Sequence, residues 1–128
     1  MHRVRSADGT QIAVWRSGSG PPLILVHGTT ADHTRWSRVV PLFETHFTVI
    51  AMDRRGRGGS GDVLPYAIER EAEDVAAVAE WIGQSVTFLG HSYGAICSLE
   101  AALRTAQIRQ LILYEPPVPV GLDLVPQA

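Results

Sequence analysis

The sequence lacks several features that would assign it to a particular class of protein. It has one cysteine, Cys97, in 128 residues, which excludes an internal disulfide. It has no lysine, and its net charge of −2 gives no reason to expect binding to nucleic acid or to an anionic membrane surface. Its uninterrupted apolar runs are far too short to span a membrane. Disulfide-rich, nucleic-acid-binding and membrane-spanning proteins are therefore not indicated, and the sequence is typical of an ordinary globular chain.

The N-terminus also lacks a recognisable targeting signal. No apolar stretch follows Met1–Arg5, so no signal peptide is visible, and we expect a cytoplasmic protein. Apolar residues make up 45% of the chain and charged residues 19%, as in folded domains. The length is about that of one domain, and we treat residues 1–128 as a single unit.

One pentapeptide, Gly90-His91-Ser92-Tyr93-Gly94, has the pattern Gly-x-Ser-x-Gly. An apolar run precedes it at 86–89 and a helix-compatible run follows at 95–103. A strand, this motif and a helix in succession are typical of a nucleophile elbow, in which a strained turn exposes a serine hydroxyl. The flanking glycines, having no Cβ, would let the strand and the helix approach closely. The motif therefore predicts Ser92 as a nucleophile.

The apolar pattern predicts an α/β fold. We expect a β-hairpin first and then alternating strands and helices, which favour a mostly parallel sheet with helices on both faces. The predicted strands are 2–5, 10–16, 23–26, 47–52, 86–89 and 109–114, and the predicted helices are 32–43, 67–82 and 95–103. Pro41 should end or kink the first of these helices.

Candidate functional groups follow several of the predicted strands. His27-Gly28-Thr29, the glycine-rich loop that begins at Asp53, Ser92 and Glu115 each come directly after a strand. Because active groups of parallel sheets gather at the carboxyl ends of the strands, these segments are expected to form one site.

These motifs together resemble the α/β-hydrolase superfamily, in its serine-nucleophile, esterase- and lipase-like branch. The resemblance implies that Ser92 is the nucleophile and that the backbone N–H groups of Thr29 and Tyr93 form an oxyanion hole. It also implies supporting roles around them, for His27, Gly28, Asp53, Gly90, His91 and Gly94. Relatives that dehalogenate alkanes or open epoxides carry aspartate at the nucleophile position, so the serine argues against both activities.

The resemblance covers only the N-terminal half of the family fold, its first six strands and first three helices. In relatives the acid and the histidine of the catalytic triad follow the nucleophile, often with a lid between them. Residues 1–128 are therefore expected to be the N-terminal portion of one domain, without the lid, the late strands and the catalytic histidine.

Residues within the chain offer only weak substitutes for the missing triad members. The chain has five histidines: His2, His27, His33, His46 and His91. His91 should point to the opposite side of the turn from Ser92, which leaves His33 as the least unsuitable base. Glu115 is either a catalytic acid or a structural residue, and Asp53 is expected to cap or pin its loop. The His and Asp spacings match no metal site, and no cofactor is expected.

The sequence thus predicts a serine hydrolase of carboxylic esters or related acyl substrates. Its histidine, and its acid unless Glu115 serves, would come from outside the chain. A second polypeptide or self-association would also cover the open edge of the last strand. Alone, the chain is expected to be almost inactive. Two alternatives remain, a non-catalytic binding or assembly module with the same fold and a self-sufficient hydrolase that uses Glu115 with an unconventional histidine.

Overall fold

A computed structural model describes residues 1–117 of the chain. The hairpin comes first and consists of β1 (His2–Arg5) and β2 (Gln11–Gly18), which pair antiparallel. Its turn contains Asp8, whose carboxylate accepts from the Thr10 N–H at 3.0 Å, and Gly9 at φ 90°. An Asp-Gly turn between two strands is the arrangement that the sequence predicted.

The other strands are β3 (Pro22–Val26), β4 (Thr48–Met52), β5 (Val86–His91) and β6 (Ile108–Tyr114). All six form one sheet in the order β1-β2-β4-β3-β5-β6. β2 runs antiparallel to β4, whereas β4, β3, β5 and β6 are parallel to one another. The mostly parallel sheet with an antiparallel N-terminal hairpin is therefore confirmed.

Side chains of the central strands alternate between two apolar layers. Ile24 and Val26 of β3 face the layer that contains the two long helices, while Leu23 and Leu25 face the layer that contains Trp36. All four are buried, because helical segments cover both faces of the sheet. This double burial explains why the parallel strands are continuous aliphatic runs.

Two helices cover one face of the sheet, α2 (Ile68–Ile82) and α3 (Tyr93–Ala101). α2 agrees closely with the prediction and ends at Gly83, whose φ of 75° gives the left-handed cap expected of glycine. α3 begins directly after Ser92, so the turn at Ser92 joins β5 to α3 without an intervening loop.

The prediction of one helix over 32–43 was wrong. The segment contains a 3₁₀ helix (His33–Trp36), which the Asp32 side chain caps, and a separate short helix, α1 (Val40–Phe43). Pro41 begins α1 instead of ending the helix, because proline has no N–H to donate to the preceding turn and is tolerated only in the first turn. The apolar residues of both pieces still pack together on the second face of the sheet.

The end of the expected 1–128 unit lies outside the described residues. Within residues 1–117, no helix is long and apolar enough to cross a membrane.

Candidate active site

Ser92 occupies a sharp turn between β5 and α3. Its φ of 55° and ψ of −123° are angles that usually require glycine, the first central position of a type II′ turn. The Ser92 N–H donates to the Tyr114 carbonyl of β6 at 2.9 Å, which fixes the turn to the neighbouring strand. The residue thus lies at the carboxyl end of β5 and at the positive end of the α3 dipole.

Gly90 and Gly94 are required by close packing around this turn. A Cβ on Gly90 would lie 2.5 Å from the Gly94 carbonyl oxygen and 2.6 Å from the Ala95 Cα. A Cβ on Gly94 would overlap the carbonyl oxygens of Val26 and His27. The close approach of strand and helix that the motif predicted is confirmed.

The loop after β3 lies against the Ser92 turn. A Cβ on Gly28 would lie 3.2 Å from the Ser92 Cβ. The two segments form a cleft of about 240 Å³, lined by Gly28, Thr29, Thr30, Ala31, Arg35, His91 and Ser92. Among residues 1–117, neither the Thr29 N–H nor the Tyr93 N–H donates a hydrogen bond. The free N–H groups of Thr29 and Tyr93 and the Ser92 hydroxyl therefore lie in adjoining segments.

His27 is fully buried beneath this loop and binds backbone groups on both sides. Its Nε2 accepts from the Arg54 N–H at 2.9 Å, and its Nδ1 lies 2.8 Å from the Gly28 carbonyl oxygen. Because Nε2 is an acceptor, the ring proton is on Nδ1, which donates to Gly28. Burial lowers the pKa of His27, in agreement with a neutral ring. These contacts fix the loop that carries Thr29, which suits the supporting role that the resemblance implied for His27.

Two adjacent arginines that the sequence reasoning did not single out are buried beside this loop. Arg54 forms a bidentate ion pair with Glu71 of α2, with Nε–Oε1 at 2.7 Å and Nη2–Oε2 at 2.5 Å. Arg55 forms the same kind of pair with Asp74, with both contacts at 2.7 Å. The sequence contained a signal that could have indicated these pairs. The two acids lie three residues apart in α2, and each directly precedes a residue on the apolar face of that helix.

The ionisation of the Arg54–Glu71 pair follows from its contacts. Burial by itself would raise the pKa of Glu71, but the hydrogen bonds and charge of Arg54 outweigh burial and hold that pKa below its usual range. The Tyr66 hydroxyl also donates to Glu71 Oε2, at 2.6 Å, and lies 2.8 Å from the Tyr93 hydroxyl. The charged pair is therefore connected to the residue that follows Ser92.

Asp53 is fully buried and pins its loop as predicted. One carboxylate oxygen accepts from the Gly59 N–H at 2.7 Å, and the other accepts from the His33 N–H at 2.7 Å. The His33 ring donates from Nδ1 to that second oxygen at 2.8 Å and stacks on Trp15. These contacts orient His33 toward Asp53 and hold its ring against Trp15.

Asp32, His33 and Asp53 lie close enough together to be considered as metal ligands, with donor atoms within 4.8 Å of one another. The spacing of these residues in the sequence gave no sign of this cluster. Their atoms already have partners, however, because Asp32 caps Thr34 and Asp53 binds His33 and Gly59. Hydrogen bonding therefore accounts for the cluster.

His91 and Ser92 both line the cleft, and the His91 Nε2 lies 3.5 Å from Glu115 Oε1. Glu115 has a φ of 53°, and its side chain is 69% exposed. None of the five histidines, all within residues 1–117, forms a hydrogen bond with the Ser92 hydroxyl in this part of the chain.

A family model described as the alpha/beta hydrolase family matches residues 23–128. The chain belongs to the alpha/beta hydrolase family. The fold agrees with this assignment. An alpha/beta hydrolase from Sphaerobacter thermophilus superposes with a TM-score of 0.87 at 47% identity, over 93% of this chain and 46% of that one.

Other alpha/beta hydrolases similar to this chain have named activities. N-formylmaleamate deformylase from Pseudomonas putida is 38% identical over 88% of this chain and 44% of its own length. The esterase RhEst1 from Rhodococcus sp. ECU1013 superposes with a TM-score of 0.82 at 30% identity, over 90% of this chain and 45% of that one. A haloperoxidase and epoxide hydrolases also match, so family membership by itself does not select one reaction.

The chain spans less than half the length of the curated relatives it matches. Within this shared N-terminal part, the candidate site of this alpha/beta hydrolase holds a serine and two free backbone donors.

Proposed function

We propose that the chain carries the nucleophile and the oxyanion hole of a serine hydrolase that acts on carboxylic esters or related acyl substrates. The observation that supports this most is the strained backbone of Ser92, at φ 55° and ψ −123°, in the turn before α3. Strain of this kind persists only where the surroundings enforce it, and it is common at functional sites. The named esterase and deformylase among the relatives favour acyl chemistry.

In this mechanism, Ser92 Oγ attacks the carbonyl carbon of the substrate while a base removes its proton. The carbonyl oxygen becomes an oxyanion, which accepts hydrogen bonds from the Thr29 and Tyr93 N–H groups. Each such donor contributes about 3 kcal/mol to lowering the barrier. Collapse of the tetrahedral intermediate expels the leaving group, which takes the proton from the base, and water then hydrolyses the acyl-serine by the same steps.

We further propose that the base comes from outside this chain. The ring of His33 is already bound to Asp53, and His27 is bound to two backbone groups. The base would belong to the C-terminal half of the fold, on a longer form of the same polypeptide or on a second one, or it would come from an associated copy. Exposed apolar side chains on α3, on the turn that follows it and on β6 give such a partner a surface to cover, namely Leu99, Leu103, Ile112 and Tyr114.

A second candidate function is a non-catalytic binding or assembly module. The absence of a histidine hydrogen-bonded to Ser92 within residues 1–117 favours it. Loss of a triad member commonly lowers the rate by about 10⁴- to 10⁶-fold, so a chain that never acquires a base would bind without turnover.

The test is the intact mass of the purified protein, native and denatured, after treatment with a fluorophosphonate. We expect one phosphonate adduct on this chain at Ser92, loss of the adduct in Ser92→Ala, and retention in Ser37→Ala, which changes an exposed serine. A second polypeptide in the native mass would identify the source of the base. Absence of any adduct under native conditions would withdraw the hydrolase proposal for residues 1–128 as they stand and leave the binding module.

A further inference from the structure

The two buried arginine pairs beside the site are built alike but differ in one contact. Arg54 and Arg55 each bind a carboxylate of α2 through two nitrogens. The remaining nitrogen of Arg55 binds Asp8 in the hairpin turn, at 2.9 Å. The corresponding nitrogen of Arg54, Nη1, donates instead to the Gly28 carbonyl oxygen at 2.9 Å.

The Gly28 carbonyl belongs to the peptide bond that contains the Thr29 N–H. This bond is trans, so its C=O and N–H point in opposite directions. Arg54 and the His27 ring both bind the carbonyl from the buried side. The Thr29 N–H is consequently directed away from the interior, on the loop that lines the cleft with Ser92.

The same guanidinium also contacts the other segment of the site. Its carbon lies 4.9 Å from the centre of the Tyr93 ring, within range of a cation–π interaction. Tyr66 connects the partner carboxylate, Glu71, to the Tyr93 hydroxyl. Arg54 of this buried ion pair therefore contacts the peptide group that carries the Thr29 N–H and the ring of Tyr93.

We propose that Arg54, held in place by Glu71, is a positioning residue that orients the Thr29 N–H as an oxyanion donor. This inference rests on the proposed function for its catalytic meaning. A hydrogen bond from a cation to the carbonyl fixes the peptide plane and polarises it, which strengthens the N–H as a donor. The group that stabilises the transition state is thus oriented before substrate arrives.

If Arg54 had only a structural role, removing its ion pair would have the same effects on Ser92 and Thr29 as removing that of Arg55. Replacing a buried ion pair by apolar residues of similar volume is often neutral or stabilising, so both pairs can be removed as units. We compare Arg54→Met/Glu71→Leu with the matched control Arg55→Met/Asp74→Leu, in the protein together with any partner that co-purifies. The measurements are the midpoint of urea unfolding, the rate of Ser92 modification by paraoxon, and the NMR signal of the Thr29 amide.

We expect both double variants to remain folded, and the Arg55 variant to be the less stable one because Asp8 loses its partner. Only the Arg54 variant should react more slowly with paraoxon, by about 10- to 100-fold, since outright loss of an oxyanion donor costs about 10²- to 10³-fold. Only this variant should shift the Thr29 amide signal. With p-nitrophenyl acetate, kcat should fall while KM changes little, because the donor acts in the transition state.

The outcomes separate the inference from the proposed function. Equal effects of the two double variants, or an unchanged Thr29 signal in the Arg54 variant, would overturn the positioning role even if Ser92 reacts. A wild-type protein that does not react with paraoxon would overturn the proposed function, and the Thr29 amide would still decide whether Arg54 orients that N–H.

Discussion

Gly94, in the first turn of α3, lies directly against the Val26 carbonyl oxygen at the end of β3, with no space between them for a Cβ. This contact joins the helix that follows Ser92 to the strand that leads into Gly28. The relative position of Ser92 and the Thr29 loop therefore depends on a backbone contact that only glycine permits.

Gly94→Ala should destabilise the fold. The new methyl group would overlap the Val26 and His27 carbonyl oxygens, which are backbone atoms of the central strand and its loop. Overpacking of this kind costs about 1–3 kcal/mol or more. We expect the free energy of unfolding in urea to fall by at least this amount.

Gly61→Ala is the matched control, because a Cβ there would meet its nearest atom at 3.8 Å, an ordinary contact distance. The control should change stability by less than about 1 kcal/mol. Equal losses in the two variants would contradict the packing argument.

Ser92→Gly should be more stable than Ser92→Ala. Both substitutions remove the hydroxyl, but only glycine adopts a φ of 55° with a ψ of −123° without strain. Strain at one residue costs about 1–3 kcal/mol, part of which the greater freedom of glycine in the unfolded chain offsets. We expect a difference of about 1 kcal/mol in urea unfolding. If the alanine variant is the more stable one, the turn is not strained.

His33→Ala should reduce stability without affecting the reaction of Ser92. The substitution removes a hydrogen-bond partner of the buried Asp53 carboxylate and the ring that stacks on Trp15. Loss of one partner of a buried charged group costs about 1–3 kcal/mol. At a temperature where the variant is folded, phosphonate modification of Ser92 should keep its wild-type rate.

The control is His46→Ala, which removes an exposed histidine. It should change neither the stability of the protein nor the rate of Ser92 modification. A loss of Ser92 reactivity of 10⁴-fold in His33→Ala alone would instead identify His33 as the base.

Acid should destabilise the protein through His27. Burial lowers the pKa of His27 in the folded state below the value of about 6.5 expected when unfolded. Below that pH the unfolded chain binds a proton that the folded chain does not. The free energy of unfolding therefore falls with decreasing pH, by up to about 1.4 kcal/mol per unit, until the pH reaches the lowered pKa.

Urea unfolding between pH 7.5 and 5 measures this dependence, and the slope should be smaller in His27→Gln. An identical slope in the variant would show that His27 does not cause it. In NMR titrations of the folded protein, the His27 ring should remain neutral at pH values where it titrates in urea.

The sequence predicted the strands, α2 and the turn at Ser92 because their causes are local or periodic. Aliphatic runs such as 23–26 indicate strands buried on both faces, and Gly83 marks the end of α2 through its left-handed conformation. Gly90 and Gly94 identify a turn in which strand and helix nearly touch. These signals lie within a few residues of the structure that they specify.

The error at 32–43 has a local cause as well. The apolar spacing of that segment suits a helix, but it suits two short helical pieces on the same sheet face equally well. Pro41 can begin a helix or end one, and its position in the first turn of α1 depends on how Trp36 and Phe43 pack.

The tertiary structure alone decided which polar groups meet. Arg54 and Glu71 are 17 residues apart, and His33 and Asp53 are 20 apart, so no periodicity links them. Arg54 meets Glu71 because the loop after β4 lies against α2, and His33 meets Asp53 because the 3₁₀ helix lies beside the end of β4. At each place a buried charge must find its partner. The sequence determined that a serine would stand on a strained turn between β5 and α3. The packing of distant segments determined that His33 binds Asp53 and that Arg54 holds the Thr29 loop.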